Sequence, residues 1–248
     1  MEIRICASAE ALGKSAARHA AWLLNQAIRE RGEARLLLST GASQFETLAA
    51  LVQQPVDWSR VSMFHLDEYV GLPETHIASF RRYLKERFIS KVPLKAAYLV
   101  DGTETGIAAI TAELRKAPID VGLIGIGENA HIAFNDPPAN LETKESYIIV
   151  TLDDRCKQQQ CGEGWFDSVE EVPKQAVSMT VYQILQCRTI LSCVPHAVKA
   201  DAVYKALYAP ADAWTPAAQL RAHPDVTLYV DRFSAGKILQ PDLKWPEK

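Results

Sequence analysis

The 248-residue chain lacks a basic excess. Its 27 lysines and arginines stand against 30 aspartates and glutamates, for a formal charge of −3. Without a broad cationic surface it has no means of neutralising a nucleic-acid backbone or holding an anionic membrane, so phosphate recognition, where present, is local. A long apolar run is also missing. The opening stretch MEIRICASAEALGKSAARHA carries Glu2 and Arg4 and reads neither as a signal peptide nor as a membrane span. The five cysteines (Cys6, Cys156, Cys161, Cys187 and Cys193) contain no CxxC pair, and their odd number leaves at least one unpaired, as expected of reduced thiols in the cytoplasm. Neither Cys156 with Cys161 nor Cys187 with Cys193 has zinc-type spacing and a matching second pair, so no metal is expected. There is no repeat and no low-complexity tract. No glycine-rich phosphate loop ends in GK[ST], and the Gly125-Ile126-Gly127 turn has no third glycine opening a helix. Nucleotide and nicotinamide cofactors are therefore not expected.

What is present is a chain 48% hydrophobic, enough to bury a substantial core as one domain over residues 1–248. Short β-branched and leucine-rich runs alternate with segments of helical period. That pattern predicts a three-layer α/β/α sandwich around a Rossmann-like, mainly parallel sheet. Strands are expected at 3–6, 35–39, 61–66, 97–100, 121–125, 147–151, 189–194 and 226–230. Helices are expected at 9–30, 44–53, 77–88, 105–114 and 198–208. PVDWSR (55–60) and CGEGWFDSVEEVP (161–173) read as surface connections.

Parallel strands deliver their C-terminal ends to one edge of a sheet, where ligands bind, and three such ends here finish in polar residues. In LLLSTGASQ, the turn Ser39, Thr40, Gly41, Ala42, Ser43 precedes a helix. Its N–H groups and hydroxyls suit a phosphate or a sugar hydroxyl, or it is an ordinary turn with Ser43 as N-cap. VSMFHLDEYVGLP ends a strand in Asp67 and Glu68, whose side chains point to opposite sides. One of them can face the crevice as a general base while the other makes structural contacts. His65 shares the face of Asp67 and reads as structural, and neither His196 nor His223 receives a role. GLIGIGENAHIAFNDPP (122–138) sets His131 between Asn129 and Asp136 in one loop, and a carboxylate beside an imidazole orients it and tunes it for proton transfer.

LDEYVGLP (66–73) and GIGENAHIAFNDPP (125–138) resemble the glucosamine-6-phosphate deaminase/isomerase family, within a superfamily that also holds 6-phosphogluconolactonases. STGAS (39–43), VPKQAVSMT, VPHAVKADAV around Lys199 and HPDVTLYVD extend the likeness over nearly the whole chain. The resemblance implies conversion of an amino-sugar 6-phosphate to a ketose 6-phosphate and ammonia, with no metal or organic cofactor, in a monomer or homo-oligomer. It assigns to Asp67 the transfer of the C2 proton to C1, and to His131 a proton at the ring oxygen during ring opening. Asp136 becomes the partner of that histidine, and Lys199 with residues 39–43 the phosphate site. A lactone-phosphate hydrolase and a non-catalytic sugar-phosphate sensor are the alternatives.

Four positions depart from the family pattern. Asn129 and Ala130 stand where aspartate and glycine are common, and Asp136 stands where glutamate is. Gly164 occupies the place of a phosphate-binding arginine, so Lys199 is expected to carry more of the phosphate charge, and Arg155, earlier in the same segment, either compensates or has a structural surface role. The basic residues of an allosteric phosphate site are not evident around 145–151, and allosteric activation is not expected.

Overall fold

The computed structural model describes residues 1–162 and 164–239. In chain order its elements are β1 (Glu2–Cys6), α1 (Ala9–Arg31), β2 (Ala34–Leu38), α2 (Phe45–Leu51), β3 (Val61–His65) and β4 (Asp67–Tyr69). There follow α3 (Phe80–Arg87), β5 (Ala96–Tyr98), α4 (Glu104–Leu114), β6 (Val121–Ile124), β7 (Tyr147–Thr151) and α5 (Asp154–Gly162). The last are β8 (Gln175–Met179), α6 (Val181–Ile184), β9 (Thr189–Val194), α7 (Ala200–Tyr208), β10 (Val226–Asp231) and α8 (Gly236–Leu239).

Seven strands form one sheet in the order β1-β10-β9-β6-β2-β3-β5, every neighbouring pair parallel. Its central strands are apolar on both faces, because each face carries a helical layer. On β2, Leu36 and Leu38 pack with the α1, α2 and α3 side, whereas Leu37 packs with the α4, α6 and α7 side. The same alternation runs through Leu191 and Cys193 against Ile190 and Val194 on β9. Helix α1 begins where the Ser8 hydroxyl accepts the Ala11 N–H at 3.2 Å and ends at Gly32, whose φ of +80° closes the last turn. Its buried stripe is mostly alanine (Ala16, Ala17, Ala20, Ala27), which lets it lie close to the sheet.

The α/β/α architecture matches expectation, but the strand assignment differs: β4 and β8 are strands outside the expected set, and one expected strand lies elsewhere. Residues 147–151 do not join the parallel sheet. They form β7 of a second, three-stranded antiparallel sheet, ordered β4-β8-β7. The exposure pattern gives the reason: Tyr147 is buried but Ile149 is 40% exposed, and a strand with one wet face belongs in an antiparallel sheet. The two supposed surface connections also contribute to the interior. Trp58 is buried edge-on against Phe88, while Phe166 and Val172 join a cluster with Tyr69 and Phe134. Among the described residues no helix is long and apolar enough to cross a membrane.

Strand order places the site. From β2 the chain proceeds to β3 and β5, then returns to β6 on the other flank of β2 and continues outward through β9 and β10. The gap between β2 and β6 is therefore the topological switch point, where an open α/β sheet leaves a crevice beyond its strand ends.

Candidate active site

A cavity of ≈ 170 Å³ opens at that crevice, lined by Ser39, Thr40, Gly41, Ala42 and Ser43 after β2, Leu66 and Asp67 after β3, Gly125 to Glu128 and His131 after β6, and His196 and Lys199 after β9. Phe80, Ala133, Phe134, Gln160, Trp165 and Val198 complete the wall. Residues from four adjacent parallel strands thus meet, as their polar ends predict.

The two adjacent carboxylates have separate fates. Glu68 is fully buried and accepts hydrogen bonds from the Ser79 hydroxyl (2.9 Å), the Tyr69, Phe80 and Arg81 N–H groups (2.9, 3.2 and 2.8 Å) and the Arg81 guanidinium (3.1 Å). It lies at the N-terminus of α3, where free N–H groups and the helix dipole favour a negative charge. Asp67 faces the cavity, 6% exposed, and its Oδ1 has no hydrogen-bond partner. Burial, reinforced by the neighbouring charge of Glu68, pushes the Asp67 carboxyl well above its ordinary value of 3.8. A carboxylate so placed accepts a proton readily and, being a weak acid once protonated, retains it until a basic carbon takes it back.

His131 is held by three contacts. Its Nδ1 lies 2.6 Å from Asn129 Oδ1 and 3.0 Å from Asp136 Oδ1, and its backbone N–H donates to Asn129 Oδ1 at 3.1 Å. Two acceptors at Nδ1 assign the proton to that nitrogen and leave Nε2 as the acceptor. The Asn129 amide in turn donates to Asp136 at 2.8 Å, so the asparagine that brings no charge of its own joins the charge of Asp136 to the ring. Burial opposes ionisation of Asp136, but hydrogen bonds from His131, Asn129 and the Cys156 thiol prevail and lower it to about 2. The ring lies over Gly127. A Cβ there would stand 2.1 Å from His131 Nε2, so no other residue fits without moving the imidazole. The following turn is tied to the antiparallel sheet, since Ser178 Oγ on β8 accepts the Phe134 N–H (3.0 Å) and the Asn135 amide (3.2 Å).

At the opposite end, residues 39–43 make a turn that enters a short 3₁₀ segment before α2. Ser43 is not the N-cap. Gln44 holds that position without a side-chain capping bond. The Gly41, Ala42 and Ser43 N–H groups make no hydrogen bond among the described residues, which leaves them to a ligand. Ser39 differs from its neighbours: its hydroxyl donates to the Leu123 carbonyl (2.8 Å) and accepts the Gly125 N–H (3.1 Å). With its single proton so used, the Ser39 side chain staples β2 to β6 and gives a ligand no donor. Lys199, 8% exposed, brings a nearly buried cation to this end.

Of the side chains predicted for the site, Asp67, His131, Lys199 and residues 39–43 line the cavity, and Asn129 and Asp136 stand behind His131. His65 does not line the cavity: it is fully buried, its Nδ1 accepts the Val100 N–H at 3.3 Å, its Nε2 has no partner among the described residues, and burial with the nearby Arg81 lowers it to about 3. His196, given no role by sequence, lines the cavity. Gln160, Phe80 and Phe134 also line it and carry no signal in the sequence, whereas Trp165, which the sequence allows either as pocket lining or as core filling, is in the wall. Gln160 is fixed by the Tyr69 hydroxyl at 2.7 Å, a contact spanning 91 residues that no local pattern announces. Gly164 is exposed at φ +79° and supplies no side chain, and the Arg155 side chain lies outside the described residues.

A parallel sheet with acid–base groups and an anion-suited turn gathered at its switch point defines an α/β enzyme. The model of the family glucosamine-6-phosphate isomerases/6-phosphogluconolactonase matches residues 7–229. The glucosamine-6-phosphate deaminase of Oenococcus oeni is 32% identical over 217 residues, covering 86% of this chain and 90% of that protein. That of Lactobacillus delbrueckii subsp. bulgaricus is 31% identical over 239 residues, covering 95% and 98%. Among solved structures, a monomeric glucosamine-6-phosphate deaminase superposes with a TM-score of 0.86 at 29% identity, covering 95% of this chain and 99% of that one. A 6-phosphogluconolactonase from Shewanella baltica shares the fold, with a TM-score of 0.75 at 20% identity, covering 93% of this chain and 97% of that one. This chain belongs to the glucosamine-6-phosphate isomerase/6-phosphogluconolactonase family.

Proposed function

We propose that this protein is an amino-sugar 6-phosphate deaminase/isomerase, acting in the cytoplasm on glucosamine or galactosamine 6-phosphate through a single domain. The observation that carries this reading is the unpartnered Asp67 Oδ1, buried in the cavity with the anion-suited turn at one side and the braced His131 at another. Lactone hydrolysis needs an activated water but no base at C2, whereas isomerisation needs both a C2 base and a separate proton carrier at the ring oxygen.

In the proposed reaction the phosphate binds the Gly41, Ala42 and Ser43 N–H groups and Lys199. His131 Nε2 takes the anomeric hydroxyl proton and returns it to the ring oxygen, opening the sugar to the aldehyde. Asp67 then removes the C2 proton while a proton passes from the substrate ammonium to the aldehyde oxygen, forming a neutral enolamine. Returning that proton to C1 gives a C2 iminium, to which water adds before ammonia leaves. The substrate ammonium offsets the burial and the Glu68 charge that raise Asp67, so binding favours the ionised base. Asp136 and Asn129 act through His131 by fixing its tautomer.

The test is to measure ammonia release from glucosamine 6-phosphate and galactosamine 6-phosphate beside hydrolysis of 6-phosphogluconolactone. Ammonia with a ketose 6-phosphate is the expected product. Lactone hydrolysis without ammonia would replace this reading with the hydrolase, and stabilisation by sugar phosphates without any turnover would replace it with the sensor.

A further inference from the structure

The backbone at His196 has φ +79° and ψ 142°, a region that glycine enters freely and that strains any residue bearing a Cβ. Two hydrogen bonds hold it there. The His196 N–H donates to Asp231 Oδ2 at 3.1 Å, and its carbonyl accepts the Lys199 N–H at 3.0 Å. Asp231 is itself fixed, 1% exposed, with Oδ1 accepting the Phe233 and Ser234 N–H groups at 3.0 and 2.7 Å. A glycine would make the same turn at lower cost. Strain of this kind persists where the surrounding structure enforces it, and it gathers at sites where the strained residue is used.

The imidazole has the means to be used. His196 is partly exposed, lines the cavity beside Lys199, Thr40 and Gly41, and among the described residues its ring enters no hydrogen bond, ion pair or ring contact. An imidazole offers an N–H donor in either protonation state. The 3₁₀ turn from Ala197 to Lys199 couples its position to that of the lysine. We propose that His196 is a second side-chain donor to the anionic end of the substrate, setting affinity for the phosphoryl group together with Lys199. The inference rests on the assignment of this end of the cavity to phosphate.

His196→Gly separates the two consequences of the residue, because it removes the ring and relaxes the backbone. The variant is expected to melt at a higher temperature than wild type, to bind inorganic phosphate about tenfold more weakly in calorimetry, and to show a similar rise in KM for glucosamine 6-phosphate with kcat nearly unchanged. His196→Ala, which keeps the strain, is expected to lose the same affinity without the gain in melting temperature, and serves if the glycine variant does not fold. Unchanged phosphate affinity in both variants would overturn the proposal, as would a wild type that binds no inorganic phosphate. The calorimetry needs no turnover. A protein that fails to deaminate amino-sugar phosphates but loses phosphate affinity on His196→Gly would thus overturn the activity and leave the phosphoryl contact standing.

Discussion

The parallel and antiparallel sheets divide the work of this molecule unequally. The seven-stranded sheet supplies position: its strand ends bring residues 39–43, Gly125 to His131, His196 and Lys199 to one edge. The three-stranded sheet presents the proposed C2 base, Asp67 from β4, and braces the turn after His131 through Ser178 on β8. Its charges are correspondingly expensive. Asp67 and Glu68 are both buried, but Glu68 is satisfied by five donors while Asp67 Oδ1 has none. One carboxylate stabilises the fold. Its neighbour is kept at a cost to the fold, as expected of a group retained for chemistry.

Exchanging the two roles is the strongest way to break this comparison. Asp67→Asn is expected to lower kcat by about two to four orders of magnitude with little change in KM, and to leave the fold intact by circular dichroism. Glu68→Ala should do the reverse, costing about 3–5 kcal/mol in denaturant unfolding because the part-buried Arg81 and the Ser79, Phe80 and Arg81 donors lose their acceptor. Comparable effects of both substitutions on stability would show that the two carboxylates are not divided in this way.

The pH dependence of stability sharpens the same contrast. Asp67 is raised in the folded state, so its contribution is neutral below the ordinary value of 3.8 and becomes destabilising as pH rises through the folded value. The melting temperature of Asp67→Asn relative to wild type should therefore climb between acid and neutral pH. Asp136 behaves oppositely. Lowered to about 2, it stabilises the fold above 3.8 and loses that contribution as pH falls toward 2. Asp136→Asn should be destabilised near neutral pH and approach wild type in acid, and a pH-independent difference for either variant would refute its assigned direction.

Smaller effects are expected at the supports. Gly127→Ala pushes the His131 ring aside and should reduce kcat about 100-fold with the base untouched, since misplacement near 1 Å carries that cost. Ser178→Ala removes the hydroxyl that accepts the Phe134 N–H and should cost about 1–3 kcal/mol, read in thermal or denaturant unfolding.

How legible these features were depended on where their signal lies. Strands buried on both faces, such as β2 and β9, announce themselves as short apolar runs, and α1 by its period and its Ser8 and Gly32 ends. β4 is three residues, Asp67–Tyr69, two of them charged, and nothing in its composition marks a strand. It exists because β8 pairs with it. The dyad of carboxylates was legible as one inward and one structural group, and the structure decides which is which. The Ser39 hydroxyl looks free in the sequence, although Leu123, 84 residues away, takes its proton. Nothing in the sequence singles out His196, because its informative property is a backbone angle, which no side-chain pattern reports.

The central claim is that Asp67 moves the C2 hydrogen of the substrate to C1. It is tested most directly by running wild type and Asp67→Asn in ordinary water with glucosamine 6-phosphate deuterated at C2 and examining the sugar by NMR. The account predicts that wild type carries deuterium from C2 to C1 of the ketose phosphate, and that the variant, which still binds the substrate, neither moves the label nor releases ammonia. Label transfer by Asp67→Asn at a rate near wild type would contradict it.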